Sequence, residues 1–146
     1  RLASKRFSRG RHNDANFVRW SFTDEEFTKR SVATFTEHLD TATSRFPAIV
    51  VVHHPPFRGL NYPRENRDDP DGLLWEAFAG NTALEAVLTE RAARIPFAFC
   101  GHTHRAREGT LGSIRGFNVG GDYHFKRLLR LDWPAGTVTA HNFGAE

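Results

Sequence analysis

The sequence predicts an α/β fold built on a mixed β-sheet, with a crossover helix and a C-terminal antiparallel hairpin. Two apolar runs without polar alternation, residues 48–52 and 97–100, are typical of strands at the centre of a layered α/β fold. Helix signals lie between these runs, and the order strand, helix, strand implies a right-handed parallel crossover. Beyond Arg107 the alternation of apolar and polar residues predicts antiparallel strands instead.

The first long helix is predicted over residues 24–42, after a polar, Arg-rich segment that we expect to run over the surface. Thr23 and Glu26 form the pattern of a capping box, which satisfies backbone donors at a helix start. The apolar positions of this helix share one face, as expected for a helix that covers a sheet; they are Phe27, Val32, Phe35 and Leu39.

The region between the two apolar runs is predicted to hold a long surface loop, residues 58–72, and two helices. The first is a short helical piece around residues 73–78, ended by Gly80. The second is predicted to start with another capping box, Thr82 with Glu85, and to continue to Arg94. After the second apolar run, strands are predicted at 113–119 and 127–133, with a turn at 134–136 and a return strand over 137–143.

The composition fits one globular unit: 146 residues, of which 39% are hydrophobic and 25% charged. A net charge of +3 suits an anionic ligand, but it does not predict nucleic-acid binding. The single Cys excludes a disulfide framework and a multi-cysteine zinc site, and it favours a cytoplasmic location. No apolar run approaches the roughly 20 residues that span a bilayer. The chain lacks Met and begins at Arg1, so we expect it to be part of a longer protein.

Histidines follow both apolar strands at the point where each strand ends. His53 and His54 precede two prolines that stop the first strand, and His102 and His104 follow the second strand after Gly101. A parallel crossover brings both strand ends to one sheet edge, where ligands of open α/β sheets bind. Gly101 would let the chain turn sharply there. Either pair alone is typical of solvated loop residues, but the two pairs together predict metal ligation, including a site with two ions about 3.5–4 Å apart.

The segments around these histidines, residues 51–56 (Val-Val-His-His-Pro-Pro) and 100–104 (Cys-Gly-His-Thr-His), resemble the last two signature blocks of the calcineurin-like metallophosphoesterase superfamily. Residues 117–121 (Phe-Asn-Val-Gly-Gly) resemble the strand and glycine turn that follow in many members. The resemblance covers about residues 23–143. It implies half of a four-layer α-β-β-α sandwich, with residues 1–146 as the C-terminal half of a metallophosphoesterase domain.

The resemblance also implies a ligand set. His53 and His102 would bind one metal ion and His104 the other, the two ions being Mn, Fe or Zn. His54 would lie behind the ligands or face the substrate, although the division between His53 and His54 stays open. Independently of the resemblance, His53, His102 and His104 could instead hold a single ion.

The first three blocks of the family, which supply Asp and Asn ligands and the His that protonates the leaving group, are absent. The nearest imitation, residues 11–14, has His and Asn in the wrong order. The catalytic residue is therefore not identified in this chain. We expect the missing N-terminal half, or a second chain, to supply the Asp and Asn ligands as a partner.

The function that follows is metal-dependent hydrolysis of a phosphate ester, either a monoester or a diester, with little activity of this chain alone. The alternative is an inactive binding or assembly module that keeps half of the fold. Arg58, together with Arg64 and Arg67 in the same loop, is a candidate for meeting a phosphate, and His124 is a candidate because it follows the glycine turn. Cys100 is expected to be a small buried hydrophobe rather than a nucleophile. No membrane partner is predicted.

Overall fold

The computed structural model describes residues 4–8, 13–19, 21–61, 69–80 and 82–144. The predicted mixed α/β fold with a C-terminal antiparallel hairpin is confirmed. The helices are α1 (Asp14–Phe17), α2 (Asp24–Thr43), α3 (Pro70–Ala79) and α4 (Thr82–Glu90), with short 3-10 turns at Arg58–Leu60 and Ala92–Arg94. The strands are β1 (Ile49–Val51), β2 (Phe97–Cys100), β3 (Arg107–Leu111), β4 (Ile114–Asn118), β5 (Phe125–Asp132) and β6 (Thr137–Gly144).

Helix α2 begins with the predicted capping box. The Thr23 hydroxyl accepts the backbone N–H of Glu26 at 3.1 Å, and the Glu26 carboxylate accepts the backbone N–H of Thr23 at 2.8 Å. The backbone N–H and the hydroxyl of Thr23 both donate to the Glu26 carboxylate and lower the pKa of Glu26, because they stabilise its charged form. Along the predicted apolar face, Leu39 is buried but Phe27 is 40% exposed. The helix therefore covers the sheet mainly with its C-terminal half.

The second predicted capping box does not form. Thr82 is already the first helical residue of α4, and Glu85 instead accepts the backbone N–H of Arg58 at 2.7 Å. Helix α4 ends at Glu90, and the predicted continuation to Arg94 is a 3-10 turn. Helix α3 is capped by Asp69, whose carboxylate accepts the backbone N–H groups of residues 71 and 72 at 3.0 Å. The helix predicted around residues 73–78 is thus longer, because α3 already begins at Pro70.

The four-stranded sheet has the order β1-β2-β4-β3. The predicted parallel crossover is confirmed, because β1 pairs in parallel with β2 and Ile49 lies beside Phe97. The antiparallel pairing predicted after Arg107 is confirmed only in part, because β4 pairs in parallel with β2. Its antiparallel neighbour is β3, a polar edge strand that the sequence did not reveal.

The two faces of this sheet differ in what covers them. Val50 and Ala98 belong to the buried core on one face, where they pack with residues of α2, α4 and the adjoining loops; these are Leu39, Phe57, Leu60, Leu88 and Ile95. On the other face, which we call the open face, Ile49 is 44% and Val51 74% exposed. The prediction that the first strand is buried on both faces is therefore wrong for β1.

The hairpin β5–β6 forms a separate two-stranded sheet. It contacts the open face at one end, where the Trp133 ring lies edge-on to Phe97 with centroids 6.4 Å apart. The Arg115 guanidinium also donates to the Gly136 carbonyl at 2.7 Å. The hairpin thus covers the β2–β4 side of the open face and leaves the β1 side to solvent. No helix within the described ranges has the length and apolar character to cross a bilayer.

Candidate metal centre

The parallel pairing of β1 and β2 continues past the strand ends and sets the histidine segments side by side. The backbone N–H of Val52 donates to the Phe99 carbonyl, and the backbone N–H of Gly101 donates to the His53 carbonyl, both at 3.0 Å. Two prolines after His54 then prevent further ladder bonds. The sheet edge therefore presents His53, His54 and His102 together, as expected for the carboxyl ends of parallel strands.

The three imidazoles form one cluster, in which each ring offers a nitrogen within 4.8 Å of the others. The closest pair is His102 Nδ1 and His53 Nε2, which are 3.2 Å apart. The ring centroids of His54 and His102 lie 4.2 Å apart. Tetrahedral ligation with Zn–N distances of about 2.0–2.1 Å separates two ligand nitrogens by about 3.3 Å. The spacing of the His53 and His102 nitrogens therefore fits two ligands of one ion.

The cluster opens towards solvent on one side. His53 and His54 are exposed, whereas His102 is half-buried. A site with three protein ligands and an accessible face is typical of catalytic rather than structural zinc sites, which are closed by four ligands. Imidazole ligands also suit Fe and other transition metals, and the ion, predicted as Mn, Fe or Zn, stays a prediction.

The turn that carries His102 has a strained backbone. His102 and His104 have φ values of 67° and 56°, in the left-handed region that costs a non-glycine residue about 1–2 kcal/mol. The backbone N–H of Thr103 donates to the Gly101 carbonyl at 2.8 Å, which closes a three-residue turn around His102. Such strain is concentrated at functional sites.

Gly101 does not have the role that the sequence suggested. Its φ lies outside the left-handed region, and a Cβ added there would meet no atom within 4 Å. The sharp turn therefore falls one residue later, on His102. Glycine is required instead at Gly120, where φ is 72° and an added Cβ would lie 2.6 Å from the backbone N of Ala106.

His104 lies outside the three-histidine cluster. Its ring packs edge-on against Tyr123, with centroids 5.2 Å apart, on the turn that follows Gly120 and Gly121. The Asp122 carboxylate in this turn accepts the backbone N–H of His124 at 2.7 Å. That bond is the main reason why the pKa of Asp122 is lowered, with smaller contributions from the N–H of Phe125 and the nearby His124 and His104 rings. The predicted residues His104 and His124 thus both lie near Asp122.

Arg58 lies in the 3-10 turn after the histidine loop and its side chain is exposed. Together with Glu76 and Glu85 it lines an open cavity, and the Glu85 carboxylate accepts the backbone N–H of Arg58. Arg64, Arg67 and His12 lie outside the described residues, and a role of Arg58 towards phosphate stays a prediction.

Cys100 is 3% exposed, and burial raises the pKa of its thiol to about 12. Its expected role as a small buried hydrophobe is confirmed, because a thiol with such a pKa is not a nucleophile at neutral pH.

Asn118 is a site residue to which the sequence analysis gave no role. It is 2% exposed at the end of β4, level with Cys100 on β2, and its side-chain amide donates to the Thr103 hydroxyl at 2.8 Å. The available signal was a polar residue directly after Phe117 within the predicted strand 113–119.

A comparison of the chain with protein-family models finds no matching family, and a comparison with curated proteins finds no matching sequence. The resemblance to metallophosphoesterases therefore depends on the histidine motifs and their placement.

Proposed function

We propose that this chain supplies the histidine ligands of a metal-dependent phosphate-ester hydrolase. The observation that carries the proposal is the cluster of His53, His54 and His102 at the carboxyl edge of two parallel strands, with nitrogens within 4.8 Å of one another. The histidine motifs in the sequence and the net charge of +3 point in the same direction, since phosphate esters are anionic.

The donor set suits one ion. His53 and His102 would bind it through the nitrogens that lie 3.2 Å apart, and the ring positions favour His54 over His104 as the third ligand. A divalent ion in such a site polarises a phosphoryl oxygen and lowers the pKa of bound water. The exposed side of His53 and His54 leaves room for a substrate oxygen at the fourth position.

A two-metal site, as the resemblance implies, requires more donors than these imidazoles, because such ions take about four to six ligands each. His104 and Asp122 lie on adjacent turns and would contribute to a second ion only together with residues from elsewhere. We therefore expect Asp and Asn ligands from another segment or a second chain. The isolated chain should accordingly show little turnover.

A second candidate function is an assembly module without activity of its own. The observation that favours it is the open face, where Ile49 and Val51 remain substantially exposed on the edge strand β1. Exposed apolar groups on an edge strand are typical of surfaces that pair with another protein.

The deciding experiment combines metal binding with turnover. Zinc, iron and manganese content of the purified chain is measured by elemental analysis, zinc binding by calorimetry, and hydrolysis of bis(p-nitrophenyl) phosphate by absorbance. His53→Ala and His102→Ala should abolish zinc binding, whereas His141→Ala, at an exposed position of β6, should leave it unchanged. A wild-type chain that neither retains nor binds any of these metals would refute the hydrolase and favour the module.

A further inference from the structure

The buried amide of Asn118 connects the two loops that carry the histidine cluster. Both hydrogens of its Nδ2 group are donated, one to the Thr103 hydroxyl at 2.8 Å and the other to the Leu60 carbonyl at 3.2 Å. Asn118 itself lies on β4, an interior strand of the sheet, and is 2% exposed. It therefore links a turn and a loop to the sheet.

The two acceptors belong to the histidine segments. Thr103 lies between His102 and His104 in the strained turn. Leu60 ends the 3-10 turn Arg58–Leu60, which closes the loop that begins with His53 and His54, and its side chain is fully buried. Besides the bond from the Gly101 N–H to the His53 carbonyl, Asn118 thus supplies a side-chain connection between these segments.

The orientation of the amide is fixed by its surroundings. Because the Leu60 carbonyl only accepts, the NH₂ group of Asn118 must face it. The Oδ1 atom is buried and has no hydrogen-bond partner among the described residues. Burying an acceptor without a hydrogen-bond partner costs free energy of folding. An apolar residue at position 118 would avoid this cost, but it could not donate the two hydrogen bonds to Thr103 and Leu60.

We propose that Asn118 is a positioning residue, which holds the His102 turn against the His53–His54 loop and so sets the spacing of the metal-binding nitrogens. The part of this inference that concerns metal rests on the proposed function. The connection between the loops does not, because it consists of the two hydrogen bonds that Asn118 donates. Residues that orient metal ligands typically change metal affinity by about 10–100-fold when they are replaced.

Thr103→Val is the main test, because it removes the hydroxyl with little change in volume and leaves Asn118 in place. Thr103→Ser keeps a hydroxyl and should restore the wild-type behaviour. Thr137→Val, at an exposed position of β6, is the matched control. Asn118→Asp is a second variant, which should break the bond to the Leu60 carbonyl because it sets one acceptor against another, whereas the Thr103 hydroxyl could still donate to the carboxylate.

Two readouts are needed. Zinc affinity is measured by calorimetry, and amide hydrogen exchange of the metal-free chain is measured over residues 53–60 and 101–104. For Thr103→Val we expect zinc affinity to fall at least about tenfold and exchange to rise in both segments. Thr103→Ser and Thr137→Val should remain within twofold of the wild type.

The outcomes separate this inference from the proposed function. If Thr103→Val changes neither exchange nor zinc affinity, the positioning role is refuted. Raised exchange with unchanged zinc affinity would also refute it, because Asn118 would then be purely structural. If the wild-type chain binds no zinc, the proposed function fails. The link that Asn118 makes between the two histidine segments is still tested in that case, because unchanged hydrogen exchange in Thr103→Val would refute it.

Discussion

The Nδ1 atom of His102 lies 3.2 Å from the Nε2 atom of His53, although the two residues are 49 positions apart in the sequence. Two imidazoles at this distance either share a hydrogen, which fixes one tautomer on each ring, or share an ion. The exposed imidazole of His54, whose ring centroid is 4.2 Å from that of His102, would be the third ligand of the proposed ion.

Replacement of single histidines should distinguish the cluster from the ligand set that the resemblance implies. We expect His53→Ala and His102→Ala to weaken zinc binding by more than about 100-fold. Replacement of a residue that only hydrogen-bonds to a metal ligand usually costs less, about 10–100-fold. His104→Ala should change the affinity by less than about threefold, because His104 contacts Tyr123 outside the cluster. Calorimetric titration measures both effects. A loss in His104→Ala equal to that in His102→Ala would contradict the three-histidine cluster.

His102→Gly should separate binding from stability. Glycine at position 102 removes about 1–2 kcal/mol of strain from the left-handed backbone conformation. It also raises the entropy of the unfolded chain, which lowers stability by about 0.5–1 kcal/mol. The Tm of this variant should therefore equal or exceed that of the wild type, while zinc binding is lost. His102→Val, with a β-branched side chain at a φ of 67°, should lower the Tm. A clearly lower Tm for the glycine variant would show that the backbone is not strained at this position.

Gly116→Ala should destabilise the core by about 1–3 kcal/mol or more, the usual cost of overpacking. An added Cβ would lie 2.3 Å from the Phe57 ring and 2.9 Å from the Leu60 side chain, both of which are buried. Gly101→Ala is the matched control, because its Cβ would meet open space. Urea denaturation of the two variants measures the difference. Equal stabilities would contradict the packing of Phe57 against β4.

The ion pair between Asp40 on α2 and Arg91 after α4 should make stability depend on acid pH. The Arg91 guanidinium donates to the Asp40 carboxylate, with one bond of 3.1 Å, and lowers the pKa of Asp40 in the folded chain. The stabilisation is present above the unfolded pKa of about 3.9 and is lost as the pH falls through the lowered folded value. Asp40→Asn should thus be less stable than the wild type at pH 7 and equally stable near pH 2.

Urea denaturation at both pH values checks this dependence. Glu37→Gln, at an exposed position of the same helix, is the control and should show no comparable change between the two conditions. A deficit in Asp40→Asn that persists undiminished near pH 2 would show that the pair contributes through packing rather than charge.

Cys100 should resist thiol reagents in the folded chain. Its 3% exposure and a pKa of about 12 leave almost no accessible thiolate at pH 8. We expect no reaction with 5,5′-dithiobis(2-nitrobenzoic acid) under native conditions and complete reaction in urea. Rapid stoichiometric labelling of the native chain would mean that β2 opens readily.

Local signals predicted much of this fold. The capping box of Thr23, the apolar runs of β1 and β2 and the hairpin β5–β6 depend on residues that are close in sequence, and each is present. Strand β3 has no such signal, because its polar residues form a strand only by pairing with β4. The exposure of Val51 could not be predicted either, because an apolar run in the sequence does not indicate what covers each face of the sheet.

The candidate site divides in the same way. The position of the histidines at the ends of two predicted strands indicated that they would lie at one edge of the sheet. The spacing of residues in the sequence does not indicate how each imidazole ring is oriented. The positive φ of His102 turns its side chain to His53, and His104 is turned to Tyr123. The contact of Asn118 with Thr103 depends on strand register, which follows from the assembled sheet.

The parallel pairing of β1 with β2 also bears on how the chain folds. Parallel neighbours require a long crossover, so the segment from His53 to His102 must close as a large loop before their imidazoles meet, and such closure is slow. An ion bound by both residues would act as a reversible cross-link across that loop. We expect it to slow unfolding far more than it speeds folding, because the cross-link forms only after the rate-limiting closure.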